Sequence, residues 1–412
     1  MKRRVVVTGI GAINAIGHNV EETWKSIKDG VCGIGEITNY DNSLTKVKIA
    51  GEVKDFNVAD YLDKKAARKM DRFTQFGVIA AREAFKDSGL EIDKINADRF
   101  GVAVSSGIGG IGTIEKDHSK ALQKGYDRVS PFFVPMAITN LAAGNIAIDL
   151  GAKGMCTCPV TACAGGTNAI GDAFRNIRDG YQDIMVAGGA EASITPLGVG
   201  GFTSMKALCD NNDLARASIP FDADRSGFVM GEGAGILVLE ELEHAKARGA
   251  HIYCEMVGYG ASCDAYHITA PLSDGSGGAK AMVNALEDAG LKPEDVTYIN
   301  AHGTSTPLND KGETLAIKAA LGEAAKNVAI SSTKGNTGHC LGAAGGIEGV
   351  ICVKAVEEGY IPATINYQNP DPECDLDIVP NVGREQEVNV AMSNSLGFGG
   401  HNATIVFKKY GE

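Results

Sequence analysis

The chain has 412 residues, of which 44% are hydrophobic and 22% charged, and its formal net charge is −12 at neutral pH. At about 150 residues per domain this length predicts two or three domains, and the composition excludes a disordered or fibrous chain. The acidic balance disfavours broad binding to nucleic acid or to an anionic membrane, and no apolar run reaches the ~18 residues of a membrane-spanning helix.

Glycine and cysteine usage sets further limits. The 53 glycines come with only 12 prolines and no periodic repeat, so they serve particular backbone positions rather than a flexible linker. The ten cysteines have no paired spacing, which is typical of the reduced thiols of a cytoplasmic enzyme and not of a disulfide framework. Cys156 and Cys158 have no second pair at zinc-finger spacing, so we expect no metal site.

Strand-like apolar runs alternate with helical patterns along the whole chain, which predicts an α/β protein with buried sheets. The first run, residues 4–8, is β-branched and leads to Gly9 and Gly11. We interpret it as a buried strand entering a tight turn and not as a signal peptide. The other predicted strands cover residues 100–105, 184–187, 235–239, 252–257, 297–301, 328–332, 387–393 and 403–407, and the predicted helices cover residues 74–87, 168–178, 277–288, 311–321 and 347–357.

A charged segment at residues 243–249 is predicted to join two halves, residues 1–248 and residues 249–412. The halves share one pattern. Residues 161–170 and residues 337–346 are each rich in small side chains, follow a short apolar run and lead into an apolar helix. Because small residues let helices approach closely, we interpret this as a duplicated unit whose two central helices pack together.

Two glycine motifs suggest a dinucleotide site. Residues 107–112, Gly-Ile-Gly-Gly-Ile-Gly, satisfy the motif and follow a predicted strand, but the acidic residue expected about 20 positions further on is missing. The earlier Gly9 and Gly11 are followed by Asn14 where the third glycine belongs. We therefore expect that neither motif binds a nucleotide.

Candidate reactive side chains lie at the ends of predicted strands. Cys163 is at a strand-to-helix turn, where the helix macrodipole lowers a thiol pKa and favours the thiolate, although a lone cysteine is more often a small buried residue. In the second half His302 follows a strand, and Lys334 and His339 lie at another strand-to-helix turn, where α/β folds place active sites. Phe398 lies among three glycines, in a turn that can aim backbone N–H groups at a reacting oxygen.

Five motifs extend this pattern over the chain: TACAGGTNAIGDAF (161–174), PFDADRSGFVMGEGAG (220–235), NAHGTSTPLND (300–310), SSTKGNTGHCLGAAGG (331–346) and GFGGHN (397–402). Together, over residues 5–408, the chain resembles the beta-ketoacyl-[acyl-carrier-protein] synthases of type II fatty-acid synthesis, and within them the synthase II group. The resemblance implies a thiolase-like α/β fold, with two pseudo-duplicated halves in a five-layered α-β-α-β-α arrangement, and a homodimer.

The resemblance also implies a reaction. The family joins an acyl group to malonyl-carrier protein with loss of CO2, and its substrates ride on the phosphopantetheine arm of acyl carrier protein without a further cofactor. Cys163 would take the acyl group as a thioester, and the backbone N–H groups of Cys163 and Phe398 would form the oxyanion hole. His302 and His339 would bind the malonyl thioester oxygen as CO2 leaves, with His302 also activating a water.

Further positions match the family around this centre. Lys334 and Glu348 would form a charged pair that orients His339. The substrate path would be lined by Thr304 and Thr306, which bind the phosphopantetheine arm, by Thr269 in the access channel, by Ile108 in the acyl tunnel, and by the gate residue Phe398 with its packing partner Phe202.

The implied partner, acyl carrier protein, is acidic. Basic residues from position 64 onward recur at helical spacings of three and four, which predicts a positive face on one helix in spite of the negative net charge. The residues expected in this patch are Lys65, Arg68, Lys69, Arg72, Lys124, Arg128 and Lys206.

Three positions depart from the family pattern. Gly165 stands where we expect serine, Leu396 where we expect a second phenylalanine, and Lys206 where we expect arginine. The departures leave the chemistry intact, and they leave the kinetics of the gate and the preferred chain length open.

Related condensing enzymes are the alternatives. Thiolases use a second cysteine in the C-terminal glycine loop, but residues 396–400 contain none, and Cys340 should face elsewhere on its helix. Initiating synthases pair their cysteine with histidine and asparagine, and non-catalytic chain-length subunits typically lack the nucleophile that Cys163 supplies. A polyketide ketosynthase uses the same cysteine and two histidines and stays open, although a discrete chain without fused domains favours fatty-acid elongation.

Overall fold

The computed structural model, which describes residues 2–411, has fourteen strands, and ten of them form one hydrogen-bonded sheet. The strands are β1 Val5–Asn14, β2 Gly35–Glu36, β3 Ile49–Ala50, β4 Phe100–Ser105, β5 Cys156–Thr157, β6 Ile184–Glu191, β7 Gly233–Glu241, β8 Cys254–Cys263, β9 Tyr298–Asn300, β10 Ala329–Ser331, β11 Tyr360–Ile361, β12 Arg384–Glu385, β13 Val390–Gly397 and β14 His401–Lys408. The helices are α1 Val20–Lys28, α2 Lys64–Ala67, α3 Arg72–Asp87, α4 Ile111–Lys124, α5 Phe133–Ala137, α6 Leu141–Leu150, α7 Gly165–Arg178, α8 Pro196–Ser204, α9 Leu242–Ala247, α10 Ser276–Ala289, α11 Pro307–Leu321, α12 Lys334–Thr337 and α13 Ala344–Glu358.

The order of the strands shows a duplication. The strands of this sheet lie in the order β10-β9-β13-β14-β8-β1-β7-β6-β4-β5. When the five sheet strands of each half are numbered along the chain, both halves have the order 3-2-4-5-1 from the outer edge of the sheet to its middle. The halves meet where Val5–Val7 of β1 pair antiparallel with Cys254–Met256 of β8. Two small ladders, β2-β3 and β11-β12, lie outside this sheet.

Helices cover the two halves of the sheet in layers. Helices α3 and α6 pack on the strands of the first half, and α10 and α11 pack on those of the second. Helices α7 and α13 lie between the halves and contact strands of both. The arrangement is helix, sheet, helix, sheet, helix, which confirms the predicted five-layered fold.

The two central helices begin in matching ways. A short 3₁₀ turn, Ala162–Ala164, precedes α7, and its counterpart Leu341–Ala343 precedes α13. Ala162 and Leu341 open these turns with positive φ angles of 51° and 47°. In the structure Ala162 is therefore equivalent to Leu341. The sequence comparison of residues 161–170 with residues 337–346 differs from this alignment by three residues.

Glycine lets the central helices touch. A Cβ on Gly166 of α7 would lie 2.8 Å from the backbone nitrogen of Gly346, and a Cβ on Gly345 of α13 would lie 2.1 Å from Thr167 Oγ1. Contacts under 3.0 Å are not tolerated without a shift of the neighbour. The predicted close packing of two small-residue helices is therefore present.

Strand β1 continues through the glycines that we predicted to end it. It runs to Asn14, and a Cβ on Gly9 or Gly11 would lie 2.2 Å from Ala84 O or 2.0 Å from Ala80 O of α3. The prediction of a turn here was wrong, because these glycines serve the close approach of a helix to a strand.

The remaining predicted elements are found, with some additions. All nine predicted strands and all five predicted helices have counterparts, while α1, α4, α6 and α8 were not predicted. The charged segment at residues 243–249 lies largely in α9, whose Leu242 and Ala245 are buried against Val6. Among residues 2–411, the helices are all too short or too polar to span a membrane.

Candidate active site

A cavity of about 400 Å³ opens where strand ends of the two halves meet. Its lining includes Cys163, His302 and His339. The Sγ atom of Cys163 and one ring nitrogen of each histidine all lie within 4.8 Å of one another. The structure therefore brings together one reactive residue from the first half and two from the second. Cysteine and histidine are also zinc ligands, so the absence of a metal here stays a prediction.

Each of these side chains is placed by a turn at the end of a regular element. Cys163 lies in the 3₁₀ turn before α7, His302 two residues after β9, and His339 just after α12. Phe398 is in the hairpin turn between β13 and β14, where Gly399 and Gly400 have φ angles of 87° and 74°. The backbone N–H groups of Phe398 and Cys163 both lower the pKa of the Cys163 thiol, and a Cβ on Gly397 would lie 3.3 Å from the backbone nitrogen of Cys163. The two turns are therefore in contact, and an oxyanion hole formed by these two N–H groups stays a prediction.

Both histidines are held neutral. Burial lowers the pKa of His302 and of His339 well below the usual range, and the positive charge of Lys334 lowers both further. The rings are 5.1 Å apart at 87°, and the His339 ring also packs edge-on against Phe228 at 5.2 Å. The Nδ1 atoms of both rings are buried without a hydrogen-bond partner in residues 2–411. Neutral imidazoles can donate an N–H to a substrate oxygen or accept a proton from a thiol.

The Cys163 thiol does not have the low pKa that the macrodipole argument predicts. Burial raises its pKa to about 12, Lys334 and the two backbone N–H groups oppose this effect, and the negative charge of Glu191 adds to it. Desolvation of a thiolate therefore outweighs the helix terminus. The resting residue is a thiol, and acylation requires a neighbouring base.

Lys334 and Glu348 form a buried ion pair, at 2% and 3% side-chain exposure. Burial raises the pKa of Glu348 to about 7, against the opposing charge of Lys334. In the described part of the chain Lys334 Nζ hydrogen-bonds to Glu348 and not to His339. The pair therefore acts on the histidines through its electric field, and the prediction that it orients His339 stays without a direct contact.

A second buried carboxylate supports His302. Glu313 of α11 is 1% exposed and accepts 2.8 Å hydrogen bonds from the backbone N–H groups of His302 and Gly303. Burial raises its pKa to about 7. The sequence analysis did not identify Glu313; its signal is an acidic residue on the apolar face of a predicted helix, eleven positions after the histidine.

The residues predicted for the substrate path have different positions. Phe202, Thr269, Thr304, Thr306 and Phe398 all line the cavity. The Thr304 and Thr306 hydroxyls are 3.0 Å apart, and the rings of Phe202 and Phe398 are 6.3 Å apart.

Ile108 lies outside this lining, in an apolar cluster that also includes Cys163 and Phe202. Its place in an acyl tunnel stays a prediction.

The glycine motif at residues 107–112 binds a carboxylate of its own chain. Glu191, at the end of β6, accepts hydrogen bonds from the backbone N–H groups of Gly107 at 2.7 Å and Ile108 at 3.3 Å. A Cβ on Gly107 would lie 2.8 Å from Glu191 Oε2. Glu191 therefore occupies the position that a phosphate takes in nucleotide-binding loops. The sequence analysis did not identify Glu191, although this residue ends an apolar run.

The basic residues that we predicted on one helix face do not lie on one helix. Helix α2 has only four residues, and Arg72 belongs to α3, where it forms an ion pair with the buried Glu232 at 2.7 Å. The prediction was wrong for Arg72 because the chain turns between the two helices. The side chains that remain exposed are Lys65, Arg68, Lys69, Lys124, Arg128 and Lys206, the last at the cavity.

Two sequence features have local explanations. A Cβ on Gly165 would lie 2.0 Å from Ser105 Oγ, so Ser105 fills the space that a serine at position 165 would need. Cys340 is 1% exposed, and its sulfur contacts the carbonyl of Glu232 at 3.6 Å. It faces away from the cavity, as expected, and is not a second catalytic cysteine of the thiolase type.

Comparison with known proteins agrees with this geometry. Residues 2–245 match the model of the beta-ketoacyl synthase N-terminal domain, and residues 253–368 match that of the C-terminal domain. The chain is 57% identical over 410 residues to 3-oxoacyl-[acyl-carrier-protein] synthase 2 of Synechocystis sp. and 55% identical over 408 residues to that of Staphylococcus aureus, with 99% of each chain covered.

A solved structure extends the comparison. It is a type II polyketide synthase acyl carrier protein in complex with its ketosynthase bound to the hexaketide, and the match has a TM-score of 0.93 at 37% identity with 100% of both chains covered. The family models together match most of the chain, and the curated relatives match nearly all of it. On this evidence the chain belongs to the beta-ketoacyl synthase family.

Proposed function

We propose that this chain catalyses the elongating condensation of fatty-acid biosynthesis, in which an acyl-enzyme thioester and malonyl-[acyl-carrier-protein] give 3-oxoacyl-[acyl-carrier-protein], CO2 and free carrier protein. One observation carries the proposal: the sulfur of Cys163 and a ring nitrogen of each of His302 and His339 meet within 4.8 Å in one cavity. Curated relatives at 55–57% identity carry the name of this activity.

In the first step the Cys163 sulfur attacks the carbonyl carbon of an acyl thioester. Its proton passes through a neutral histidine to the departing phosphopantetheine thiolate, which leaves as a thiol. The N–H groups of Cys163 and Phe398 stabilise the oxyanion of the tetrahedral intermediate.

In the second step malonyl-carrier protein loses CO2, and the electron pair of the broken carbon–carbon bond forms an enolate. His302 and His339 donate hydrogen bonds to its oxygen, which neutral imidazoles can do at neutral pH. The enolate carbon attacks the acyl thioester, and the Cys163 thiolate leaves and takes a proton. No step needs a cofactor besides the phosphopantetheine arm.

The test uses the purified enzyme with acyl carrier proteins of several chain lengths and malonyl-carrier protein. We expect an acyl adduct on Cys163 by mass spectrometry, one CO2 per product, and a single added two-carbon unit. No adduct on Cys163, or an adduct without CO2 release, contradicts the mechanism. Several unreduced two-carbon additions on one chain would instead support a polyketide synthase.

Acyl carrier protein is the proposed partner, docked on the exposed basic residues. Arg68 and Lys69 are exposed, and Lys206 lines the cavity. We expect Arg68→Glu with Lys69→Glu to weaken carrier-protein binding, and we expect wild-type binding to weaken as salt rises. The control is Lys94→Glu with Lys326→Glu, which makes the same charge change at exposed positions; equal effects of the two double variants would remove the docking surface.

We also propose a homodimer. Apolar side chains remain exposed on and around α5, α6 and β5: Val134 at 59%, Ile138 at 42%, Ile148 at 79% and Val160 at 51%. Such a patch on a folded chain marks an interface. Sedimentation should give twice the mass of 42.9 kDa, and Val134→Lys with Ile138→Lys should give the single mass.

The division of the chain and its compartment complete the proposal. We place the two halves at residues 1–248 and 249–412, because the two family models meet between residues 245 and 253. We place the enzyme in the cytoplasm, since all ten cysteines are unpaired thiols.

A further inference from the structure

Glu191 is a buried carboxylate that the proposed mechanism does not use. It is 0% exposed and accepts five hydrogen bonds, and no cationic side chain of residues 2–411 forms an ion pair with it. Burial raises the pKa of Glu191, and its hydrogen-bond donors oppose this effect and favour the ionised form. An ionised carboxylate has about four lone-pair sites, so this set of donors saturates it. The donors are Gly107 N at 2.7 Å, Ser193 Oγ at 2.8 Å, Gly342 N at 3.1 Å, Ser106 Oγ at 3.2 Å and Ile108 N at 3.3 Å.

The three backbone N–H donors belong to two loops that flank the reaction centre. Gly107 and Ile108 follow β4, and Gly342 lies in the 3₁₀ turn that begins two residues after His339. The loops come so close that a Cβ on Gly342 would lie 2.3 Å from Gly107 N. Glu191 Oε2 accepts from both of these backbone N–H groups, so one carboxylate oxygen joins a loop of the first half to a loop of the second.

The charge of Glu191 also acts on the nucleophile. The charges that affect Cys163 are Lys334, which favours the thiolate, and Glu191, which disfavours it. His302 and His339, which lie against the sulfur, are neutral, and the charge of Glu348 is paired with Lys334. Glu191 also lies close to the nucleophile, because it holds Ile108, which packs on the same apolar cluster as Cys163, and Gly342, whose turn contacts the Cys163 turn. Its negative charge therefore opposes that of Lys334 at the thiol.

We propose that Glu191 is a positioning residue with two effects: it fixes the Ile108 loop against the turn that follows His339, and its negative charge restrains the reactivity of the free Cys163 thiol. The first effect selects acyl chains, because Ile108 lies in the apolar cluster beside Cys163 where a chain would insert. This part rests on the proposed function, and the second part does not.

The variant Glu191→Gln separates the contacts. Gly107 and Gly342 are fixed donors, so the glutamine oxygen takes the place of Oε2. The NH2 group then takes the place of Oε1, where the hydroxyls of Ser106 and Ser193 can turn to accept. The backbone N–H of Ile108 cannot turn, and it loses its acceptor. We therefore expect the variant to keep the turn after His339 and to loosen the Ile108 loop.

The experiment measures alkylation of Cys163 by iodoacetamide at pH 8, with the modified residue identified by mass spectrometry. We expect the rate in Glu191→Gln to rise by about three- to tenfold, because a negative charge next to the thiolate is removed. Ser193→Ala is the matched control, since it removes one donor and keeps the charge, and its rate should equal that of the wild type. Equal rates in Glu191→Gln and wild type, or the same increase in Ser193→Ala, would overturn the proposal.

The second measurement uses Glu191→Asp, which keeps the charge and shortens the side chain, and which also serves if Glu191→Gln does not fold. Its Cys163 alkylation should match the wild type. Its preference, measured as kcat/KM for long over short acyl-carrier proteins, should shift towards long chains relative to the wild type. Faster alkylation in this variant, or an unchanged chain-length preference, contradicts the proposal; a wild-type enzyme without decarboxylation contradicts the proposed function instead.

Discussion

The turn before α7 and the turn before α13 have the same backbone and different tasks. Both open on a residue with positive φ, Ala162 or Leu341, and both lead into a central helix. The middle residue is Cys163 in the first turn and Gly342 in the second. The first turn therefore presents a nucleophile to the cavity, while the second has no side chain and packs against Gly107 and Glu191.

The comparison extends to the residues before the turns. Counting back from the aligned positions, His339 corresponds to Val160, which is 51% exposed whereas His339 is 2% exposed. The duplication therefore gives two equivalent turns, and the predicted reactive residue lies in the first turn but just before the second. In the proposed mechanism one half provides the covalent nucleophile and the other provides the donors for the enolate.

The most severe way to break this division is to remove the nucleophile. We expect Cys163→Ala to lower condensation by about 10⁴-fold or more, because no other group can form the acyl thioester. Malonyl-carrier-protein decarboxylation should persist, since it depends on the histidines. Acyl transfer and CO2 release are measured separately; Cys156→Ala, an exposed cysteine of the same half, is the control, and loss of decarboxylation in Cys163→Ala would contradict the division.

The complementary change is His302→Ala or His339→Ala. Each removes one donor to the enolate oxygen, so decarboxylation should fall by about 10²–10³-fold. Formation of the Cys163 acyl adduct should persist in at least one of the two variants, because the other histidine can still accept the proton. If both variants lose acylation and keep decarboxylation, the histidines serve the acylation step and not the enolate.

The buried ion pair between Lys334 and Glu348 gives a test of stability in the second half. Lys334→Met leaves the Glu348 carboxylate buried and unpaired, and we expect the free energy of unfolding to fall by about 3–5 kcal/mol. Adding Glu348→Leu should restore most of it, because an apolar pair replaces an ionic one. Urea unfolding measures both, and a double variant no more stable than Lys334→Met would contradict this account.

Equivalent glycines of the two central helices test the packing of the halves. Gly166→Ala and Gly345→Ala each place a methyl group within 3.0 Å of the other helix, and we expect each to cost about 1–3 kcal/mol of stability. Gly144→Ala on α6 is the control, since its nearest neighbour lies 3.5 Å away, and it should stabilise by about 0.5–1 kcal/mol. Thermal unfolding distinguishes them, and equal stability of all three variants would contradict backbone contact between α7 and α13.

A further test of the first turn concerns pH. Because burial raises the pKa of Cys163 to about 12, the thiolate fraction rises with pH throughout the neutral range. We expect alkylation of Cys163 to increase about tenfold per pH unit from about pH 6 to about pH 9. Cys340, buried beside the second turn, should stay unmodified in the folded protein. A plateau below about pH 8 would show a thiolate stabilised by the helix terminus.

The parts of the fold that depend on periodicity could be predicted from the sequence. Long buried strands and amphipathic helices leave regular apolar patterns, so all nine predicted strands were found and the duplication was visible in the small-residue segments. The role of Gly9 and Gly11 was not predictable in this way. Whether a glycine makes a turn or admits a helix depends on what packs against it, and α3 lies some seventy positions away.

The candidate site also has residues that could be predicted from the sequence and residues that could not. Cys163, His302 and His339 could be identified from motifs, and the structure brings them together. Glu191 and Glu313 could not, because a carboxylate that binds backbone N–H groups of other loops has no spacing rule. The thiol pKa was predicted in the wrong direction for a related reason: the helix terminus is visible in the sequence, and the depth of burial is not.

The pairing of β1 with β7 and β8 has a consequence for the order in which the molecule forms. β1 is made first, yet both of its neighbours come from residues 233–263, so the middle of the sheet closes only after more than half of the chain exists. Contacts of such long sequence separation make folding slow and leave unpaired strand edges exposed meanwhile. A ribosome-bound fragment that ends before β7 therefore holds an apolar strand without a partner. The fold thus needs protection from aggregation during synthesis, at the position where its two halves later join.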